Sequence, residues 1–313
     1  MAGYRFGRTL VIANPAAQSG RGAQGAQIVE EALARGEVEV DGYEVRRTAA
    51  AGDATWIARE AAGFDTVVAL GGDGVIHETV NGLMAIDAAR RPCLAVIPLG
   101  SGNDFARTVG APRNQPDEAL RRAAGGTRTR FDLGLVNGVH FMETLSFGLD
   151  AAIALDTYQR RTKNGAHGTR LFAASGFEIF SRHRDPYPYR GLVWTEEDAE
   201  PREIAGEEVV FAVQVGPTYG GGFRICPDAS PTDDLLSLCR SVAVPSVPHA
   251  LALFVRARFG LHTGSPALEF SRLARLTLDF EREPPCQVDG ERLTGTHYEI
   301  SSVPGALDVV VCR

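Results

Sequence analysis

One stretch constrains the fold of this chain more than any other: an apolar, β-branched run that breaks at a glycine-rich turn and resumes with helical spacing. The run extends from Asp65 to Leu83, and the break is Gly71-Gly72-Asp73-Gly74. It predicts a buried strand, a tight turn and a helix. Glycines let the backbone approach a polyphosphate, the helix offers unpaired amides, and Asp73 supplies a carboxylate for a phosphate-bound Mg²⁺. The turn is therefore a candidate phosphate site.

Strand and helix signals alternate over the first part of the chain. Such alternation predicts a Rossmann-like α/β domain with a parallel sheet. Helices are expected near Gly22–Arg35, from Asp53, and up to Ala85. Strands are predicted at Thr9–Ala13, Tyr43–Arg47, Thr66–Leu70 and Leu94–Pro98.

Two further strands of this domain also run into glycine-bearing turns, Asn14–Gly22 and Pro98–Arg107. Each turn alone is weak evidence, because Rossmann-like folds also use glycine to close strand–helix turns that bind nothing. The carboxyl ends of parallel strands meet at one edge of a sheet, where ligands bind. Three such turns together favour a shared ligand site at that edge.

A different pattern begins near Phe131, where Asn137-Gly138 between apolar runs predicts a β-hairpin. The later signals predict a mostly antiparallel β-sandwich. We expect an α/β domain over residues 1–130, which the C-terminal segment 293–313 could complete, and a β-sandwich domain, the candidate substrate domain, over 131–292. The later strands are predicted at Tyr189–Thr195, Glu208–Val215, Leu235–Val244, Arg275–Phe280 and Leu307–Val311, and helices at Asp150–Arg160 and Thr169–Ser181.

Composition excludes several classes of protein. The net charge of −7 over 313 residues argues against a broad nucleic-acid footprint. The five cysteines are scattered without a C-x-x-C pair, so reduced thiols in the cytoplasm fit best. No window reaches the roughly 20 apolar residues that span a bilayer, so any membrane contact is expected to be peripheral. Lysine occurs once, at Lys163, so no Walker A lysine is available to neutralise phosphate.

The three turns resemble the motifs of the diacylglycerol kinase catalytic-domain family, lipid kinases related to sphingosine kinases and, more distantly, to NAD kinases. The turn from Asn14 is similar to Asn-Pro-x-x-x-x-Gly-x-Gly, Gly71–Val75 to Gly-Gly-Asp-Gly-Thr, and Pro98–Arg107 to the more specific Gly-Ser/Thr-x-Asn-Asp-Phe-Ala-Arg. The resemblance covers essentially the whole chain. Val75 stands where the family usually has Thr, and His77 where Asn is common.

The resemblance implies ATP as the nucleotide, with Mg²⁺ held near Asp73 and Asp104. Without the resemblance, Thr48 is an ordinary strand-end residue and Asp104 is an N-cap of the helix Phe105–Thr108. The residues that it places against the nucleotide are Asn14, Thr48, Gly71, Gly72, Asp73, Gly74, Val75, Ile76, His77, Ser101 and Asp104.

Two segments of the second domain also match the family. Tyr219–Leu236 is similar to a segment that holds a structural Mg²⁺, which implies ligation by Ser230, Asp233 and Leu235, the first and last through backbone oxygen. Asp234 replaces the usual glycine there, and an Asp-stabilised turn is the alternative. Cys286–Arg292 resembles the Val-Asp-Gly-Glu motif, which makes Asp289 and Glu291 candidate catalytic bases beside Asp73, although Asp-Gly is also a common hairpin turn.

The function that this resemblance implies is ATP-dependent phosphorylation of the hydroxyl of a lipid alcohol, with diacylglycerol as the first candidate. The alternatives are an NAD kinase-like enzyme and a catalytically silent nucleotide-binding regulator. The expected partner is a lipid substrate at a membrane surface, and sheet edges of the second domain could support a homodimer. Two segments are candidates for membrane contact: the basic island Arg160–Arg190 and the stretch Leu251–Leu261, for which a half-buried core helix is the favoured explanation.

Overall fold

The computed structural model describes residues 3–164, 187–195, 200–208, 210–243 and 247–312. The chain forms two compact units, one of Met1–Phe131 with Gly305–Arg313 and the other of Asp132–Pro304. The predicted helix at Thr169–Ser181 and the side chains of the basic island up to Arg184 lie outside the described residues. None of the helices in the described ranges is long and apolar enough to cross a lipid bilayer.

The first unit is built on a parallel sheet with the strand order β2-β1-β3-β4. All six residues of both β3 and β4 are buried, because helices cover the sheet and leave these strands no solvent-facing side. The last strand of the chain, β16 (His297–Val311), pairs in parallel with β4 through Val309 and Leu94. The other elements of this unit are β1 (Arg8–Ala13), α1 (Ala17–Ala34), β2 (Gly42–Arg47), α2 (Asp53–Arg59), β3 (Thr66–Gly71), α3 (Asp73–Met84), β4 (Cys93–Pro98), α4 (Asp104–Thr108) and α5 (Pro116–Ala124).

The second unit has an antiparallel sheet with the strand order β12-β11-β10-β7-β14-β15. A second group of antiparallel strands, β16, β13, β8 and β9, faces it. The elements are β5 (Thr127–Val136), which begins in the first unit, β6 (Val139–Phe141), β7 (Thr144–Gly148), α6 (Leu149–Asn164), β8 (Tyr187–Trp194), β9 (Arg202–Glu208), β10 (Val210–Gln214), β11 (Leu236–Ser241), α7 (Val247–Ala257), β12 (Leu268–Leu273), β13 (Arg275–Phe280), β14 (Cys286–Val288) and β15 (Glu291–Arg292).

Aromatic side chains fill the space between these two groups of strands. The Phe147 ring of β7 lies 4.7 Å from Tyr298 of β16 and 5.2 Å from Phe280 of β13. Tyr189 of β8 lies 5.4 Å from Phe211 of β10. Edge-to-face and tilted ring contacts of this kind stabilise a core beyond the apolar area that they bury. The second unit is therefore a β-sandwich, and the predicted fold class is confirmed.

The elements differ from the sequence prediction where periodicity is weak. The hairpin at Asn137-Gly138 forms, with φ of 47° and 87° at its two turn residues. The predicted terminal strand Leu307–Val311 is much longer, starting at His297. Strand β7 was missed because all five of its residues are buried and show no alternation, and β9 because its sequence is mostly polar.

Candidate active site

The three glycine-rich turns of the first unit lie side by side at the carboxyl ends of β1, β3 and β4. The amide of Asn14, just past β1, donates to the Leu70 carbonyl at 3.0 Å. The amide of Leu99, just past β4, donates to the Gly71 carbonyl at 2.7 Å. Parallel strands bring their ends to one edge, so the turns that follow them share a small region of space.

Asp73 links the second turn, which follows β3, to the third turn, which follows β4. Its carboxylate accepts hydrogen bonds from the amides of Asn103 at 2.7 Å and Asp104 at 2.9 Å. These amides are the first donors of α4, so the side chain that caps this helix comes from another turn. The interpretation of Asp104 as the N-cap is wrong: Asp104 is the first helical residue, and its carboxylate accepts from Arg107 at 3.0 Å.

Glycine is required where these turns touch. A Cβ on Gly100 would lie 2.6 Å from the Gly72 Cα, and a Cβ on Gly102 would lie 2.6 Å from the Asp73 Oδ2. Asn103 takes a left-handed φ of 51°, and its buried side chain donates to the Gly100 carbonyl at 2.7 Å. The Gly-x-Gly-Asn spacing thus serves close backbone packing and a turn in which asparagine is favoured.

The first turn is held against the third by a residue that the sequence did not single out. Gln18 donates from Nε2 to the Gly100 carbonyl at 3.1 Å and to the Asn114 Oδ1 at 2.6 Å. Gln18, Ser19 and Gly20 all have left-handed φ, so the regular part of α1 starts beyond them, near the predicted Gly22. Non-glycine residues in this conformation cluster at functional sites.

The start of α3 presents backbone rather than side chains to the turn. Ile76 is fully buried, and Val75 and His77 are nearly so. The His77 ring lies against Asn81, with 3.3 Å between Nε2 and Nδ2. Any ligand at this turn would therefore meet mainly the amides of residues 71–77.

A backbone hydrogen bond positions Thr48, and two carboxylates hold the loop that follows it. The Thr48 amide donates to the Ala13 carbonyl at 2.9 Å, which brings the end of β2 to the first turn. Glu78 of α3, which the sequence analysis missed, accepts from the amides of Gly52 at 2.8 Å and Ala54 at 3.2 Å. Hydrogen bonds from the backbone amides of residues 49 and 50 lower the pKa of Asp53. Nothing in the sequence distinguishes Glu78 from other acidic residues on helices as the one that binds the amides of this loop.

In the second unit, the Asp289-Gly290 turn joins β14 to β15. The Asp289 carboxylate accepts three amide hydrogen bonds at 2.9–3.0 Å, from Met142, Glu143 and Thr144. This carboxylate therefore anchors the hairpin to the segment before β7. Glu291 follows on β15, is partly exposed and pairs with Val288 across the hairpin. The structure gives the two acidic residues different environments.

The loop with Ser230, Asp233 and Leu235 precedes β11. Asp233 accepts from the Leu235 amide at 3.2 Å through Oδ1, and its Oδ2 lies 2.7 Å from Arg272. The Asp234 amide donates to Asp132 at 2.8 Å. Asp234 has a φ of 67°, the left-handed conformation that favours glycine. Its backbone thus has the conformation expected of the glycine that it replaces.

Comparison with known proteins relates both units to one family. The profile of the diacylglycerol kinase catalytic domain matches residues 8–136, and that of the YegS C-terminal NAD kinase beta sandwich-like domain matches residues 135–311. The chain belongs to the diacylglycerol kinase catalytic-domain family of lipid kinases. A probable lipid kinase YegS-like of Serratia proteamaculans is 31% identical over 94% of this chain and 92% of its own length. A diacylglycerol kinase of Bacillus subtilis is 29% identical over 91% and 89%.

The fold of this lipid kinase family member also matches a solved structure. A diacylglycerol kinase from Bacillus anthracis str. Sterne superimposes with a TM-score of 0.78, at 23% identity, over 99% of this chain and 98% of that chain. At this identity the likeness concerns the fold alone. It agrees with the parallel sheet of the first unit and the β-sandwich of the second.

One buried acidic residue in the second unit of this lipid kinase homologue was not predicted. Asp150, in the first turn of α6, accepts a short hydrogen bond from the hydroxyl of Tyr219. Burial raises the pKa of Asp150 to about 6, although hydrogen bonds from Tyr219 and Ser146 oppose the shift. Asp150 is therefore partly protonated near neutral pH, unlike an ordinary surface carboxylate.

Proposed function

We propose that this protein transfers the γ-phosphate of ATP to the hydroxyl of a lipid alcohol, with diacylglycerol as the acceptor. The observation that supports this most is the Asp73 carboxylate bound to the amides of Asn103 and Asp104, which joins two of the three turns. Phosphoryl transfer depends on alignment and charge neutralisation, and a set of fixed turns supplies both without a lysine.

ATP would lie on the backbone amides of the turns, with Asn14, Thr48 and Ser101 as side-chain contacts. Ile76 and His77 would contribute through the backbone, because their side chains are buried. Val75 would also offer only its amide, because its side chain carries no hydrogen-bonding group. Asp73 and Asp104 offer the hard oxygen donors that suit the Mg²⁺ of the nucleotide. Bound Mg²⁺ would neutralise phosphate charge in the transition state.

Glu291 is the better candidate for the base that accepts the proton of the lipid hydroxyl. Asp289 already uses its carboxylate to hold three amides, so it serves as a positioning residue. Glu291 is partly exposed on a two-residue strand that this anchor keeps in place.

The loop at Ser230, Asp233 and Leu235 has a donor set that fits a structural Mg²⁺, since carboxylate and carbonyl oxygens are its usual protein ligands. The left-handed backbone at Asp234 supports this assignment. Arg272 would share the Asp233 carboxylate with the cation. The role proposed for this ion is to stabilise the loop before β11.

The proposal is tested with radiolabelled ATP and a panel of acceptors: diacylglycerol, other lipid alcohols and NAD. We expect label in phosphatidic acid with diacylglycerol, and none with the Asp73→Ala variant. Label in NADP alone would identify an NAD kinase-like enzyme. ATP binding by calorimetry without transfer to any acceptor would identify a nucleotide-binding regulator instead.

A further inference from the structure

Helix α7 of the second unit packs one face into the core, while Val255 and the turn that follows the helix expose large apolar side chains. On its inner face Leu253 and Ala257 are buried, and the Phe254 ring lies 4.8 Å from Phe223. The prediction of a half-buried core helix describes this face.

The end of α7 and the turn after it expose three large apolar side chains. Val255, Phe259 and Leu261 are 61%, 65% and 62% exposed. In the described part of the chain, six large apolar side chains are exposed, and three of them lie within the seven residues from Val255 to Leu261. Clustered exposure of this kind marks an interaction site, whereas single exposed apolar residues are ordinary.

The exposed apolar groups are held in place by hydrogen bonds. The amides of Phe259 and Leu261 both donate to the Arg256 carbonyl at 3.0 Å, closing a turn directly after α7. His262 is buried, and its Nε2 lies 2.9 Å from the Ile225 carbonyl. The exposure of Phe259 and Leu261 is therefore a property of a fixed turn.

The charge of this segment is opposite in sign to that of the chain. Residues Val242–Leu268 contain no Asp or Glu, in a protein with a net charge of −7. Arg258 points inward, where it donates to the Gly222 carbonyl. Arg256 is exposed beside Val255, so the surface combines apolar groups with a positive charge.

We propose that Val255, Arg256, Phe259 and Leu261, the α7 surface, insert into the interfacial region of an anionic bilayer. Apolar side chains flanked by a cation match the acyl boundary and the negative headgroups of such a membrane. A two-fold dimer through this surface would bring the Arg256 side chains of the two copies together, whereas anionic headgroups would neutralise that charge. The inference rests on the proposed function for its lipid substrate, but bilayer binding is measurable without phosphate transfer.

The test compares wild type with the triple variant Val255→Ser, Phe259→Ser, Leu261→Ser in cosedimentation with phosphatidylglycerol–phosphatidylcholine vesicles. We expect the triple variant to partition about tenfold less, since it removes most of the inserted apolar area. Trp56→Ser is the matched control, because Trp56 is an equally exposed apolar residue on the first unit. The Trp56→Ser variant should partition onto vesicles as wild type does. Both variants should have the melting temperature of wild type.

Charge is tested separately. Arg256→Glu should weaken binding to phosphatidylglycerol vesicles several-fold, leave binding to phosphatidylcholine nearly unchanged, and lose its effect at high salt. Equal sedimentation of wild type and triple variant, or no sedimentation of wild type, would overturn the proposal. A dimer in light scattering that the triple variant abolishes would assign the surface to a second copy and also overturn it.

Phosphate transfer to a short-chain, monomeric diacylglycerol requires no vesicle. Measuring it therefore tests the proposed function separately from the docking surface. The triple variant should keep that activity while losing vesicle binding. If wild type binds vesicles through the α7 surface but phosphorylates no lipid, the proposed function fails and the docking surface stands. If it phosphorylates the monomeric lipid but binds vesicles equally with and without the three apolar residues, the docking surface fails alone.

Discussion

The carboxylate of Asp73 lies 2.7 Å from the backbone nitrogen of Asn103, thirty positions later in the chain. This bond joins the turn after β3 to the turn after β4, and a second bond to Asp104 completes the cap of α4. One side chain thus sets the spacing of two turns that would hold the same triphosphate.

Asp73→Asn tests that relationship. An amide has one accepting oxygen instead of two, so one of the two amides is left without its partner. We expect transfer to fall by at least about 100-fold, and the free energy of unfolding by about 1–2 kcal/mol. Kinetics and urea unfolding measure both. Unchanged kinetics would show that the spacing of these turns does not matter to the reaction.

Gly100→Ala tests the close approach of the same turns. The added Cβ would lie 2.6 Å from the Gly72 Cα and 2.7 Å from the Asn103 Oδ1, so backbone must shift. We expect a loss of about 1–3 kcal/mol in stability and loss of ATP binding by calorimetry. Gly63→Ala is the control, because a Cβ there meets nothing within 4 Å. Equal effects of the two substitutions would contradict the prediction.

Val75→Thr tests the departure from the family motif. Val75 is 8% exposed at the start of α3, and threonine has nearly its shape with one added hydroxyl. A hydrogen bond to a charged phosphate is worth about 1.5–3 kcal/mol, so ATP should bind about tenfold more tightly or better. Val80→Thr, deeper in the same helix, should lower stability without changing ATP affinity. A similar ATP affinity in wild type and Val75→Thr would remove this role for the hydroxyl.

Glu291→Gln and Asp289→Asn should separate base from anchor. The first removes the proton acceptor, so we expect a fall in kcat of about 10²–10⁴-fold with an unchanged melting temperature. The second weakens three amide bonds, so it should lower the melting temperature as well as activity. If Asp289→Asn lost activity without loss of stability while Glu291→Gln stayed active, the roles would be reversed.

The contribution of Asp150 to the free energy of unfolding should fall as the pH rises, the opposite of a carboxylate that is paired in the folded state. Its pKa is about 6 in the folded state against an ordinary aspartate value of 3.8, so the folded state binds the proton more tightly. The stabilisation is complete below about pH 4 and is lost as the pH rises to about 6, a contribution of up to about 3 kcal/mol. Asp150→Asn should abolish this slope in urea unfolding, and Asp156→Asn on the same helix should retain it.

Much of the fold followed from local pattern. Alternating strand and helix signals, buried strands at Thr66 and Cys93, and the Asn137-Gly138 hairpin depend on the side-chain period and the backbone preferences of a few residues. The placement of Glu78 and Gln18 did not follow. Their partners lie 24–26 and 82–96 positions away, so only the packed chain brings them together.

The sequence by itself determined the alternation of strands and helices in the first unit, the glycine-rich turns and the resemblance to the lipid kinase family, because these depend on residue type at fixed spacing. The tertiary structure decided which atoms each carboxylate binds: Asp73 caps a distant helix, Asp289 anchors a hairpin and Asp150 is buried against Tyr219. It also decided that α7 and the turn after it expose apolar groups to solvent. Hydrogen-bond partners and exposure depend on what surrounds a residue in space, which spacing along the chain does not encode.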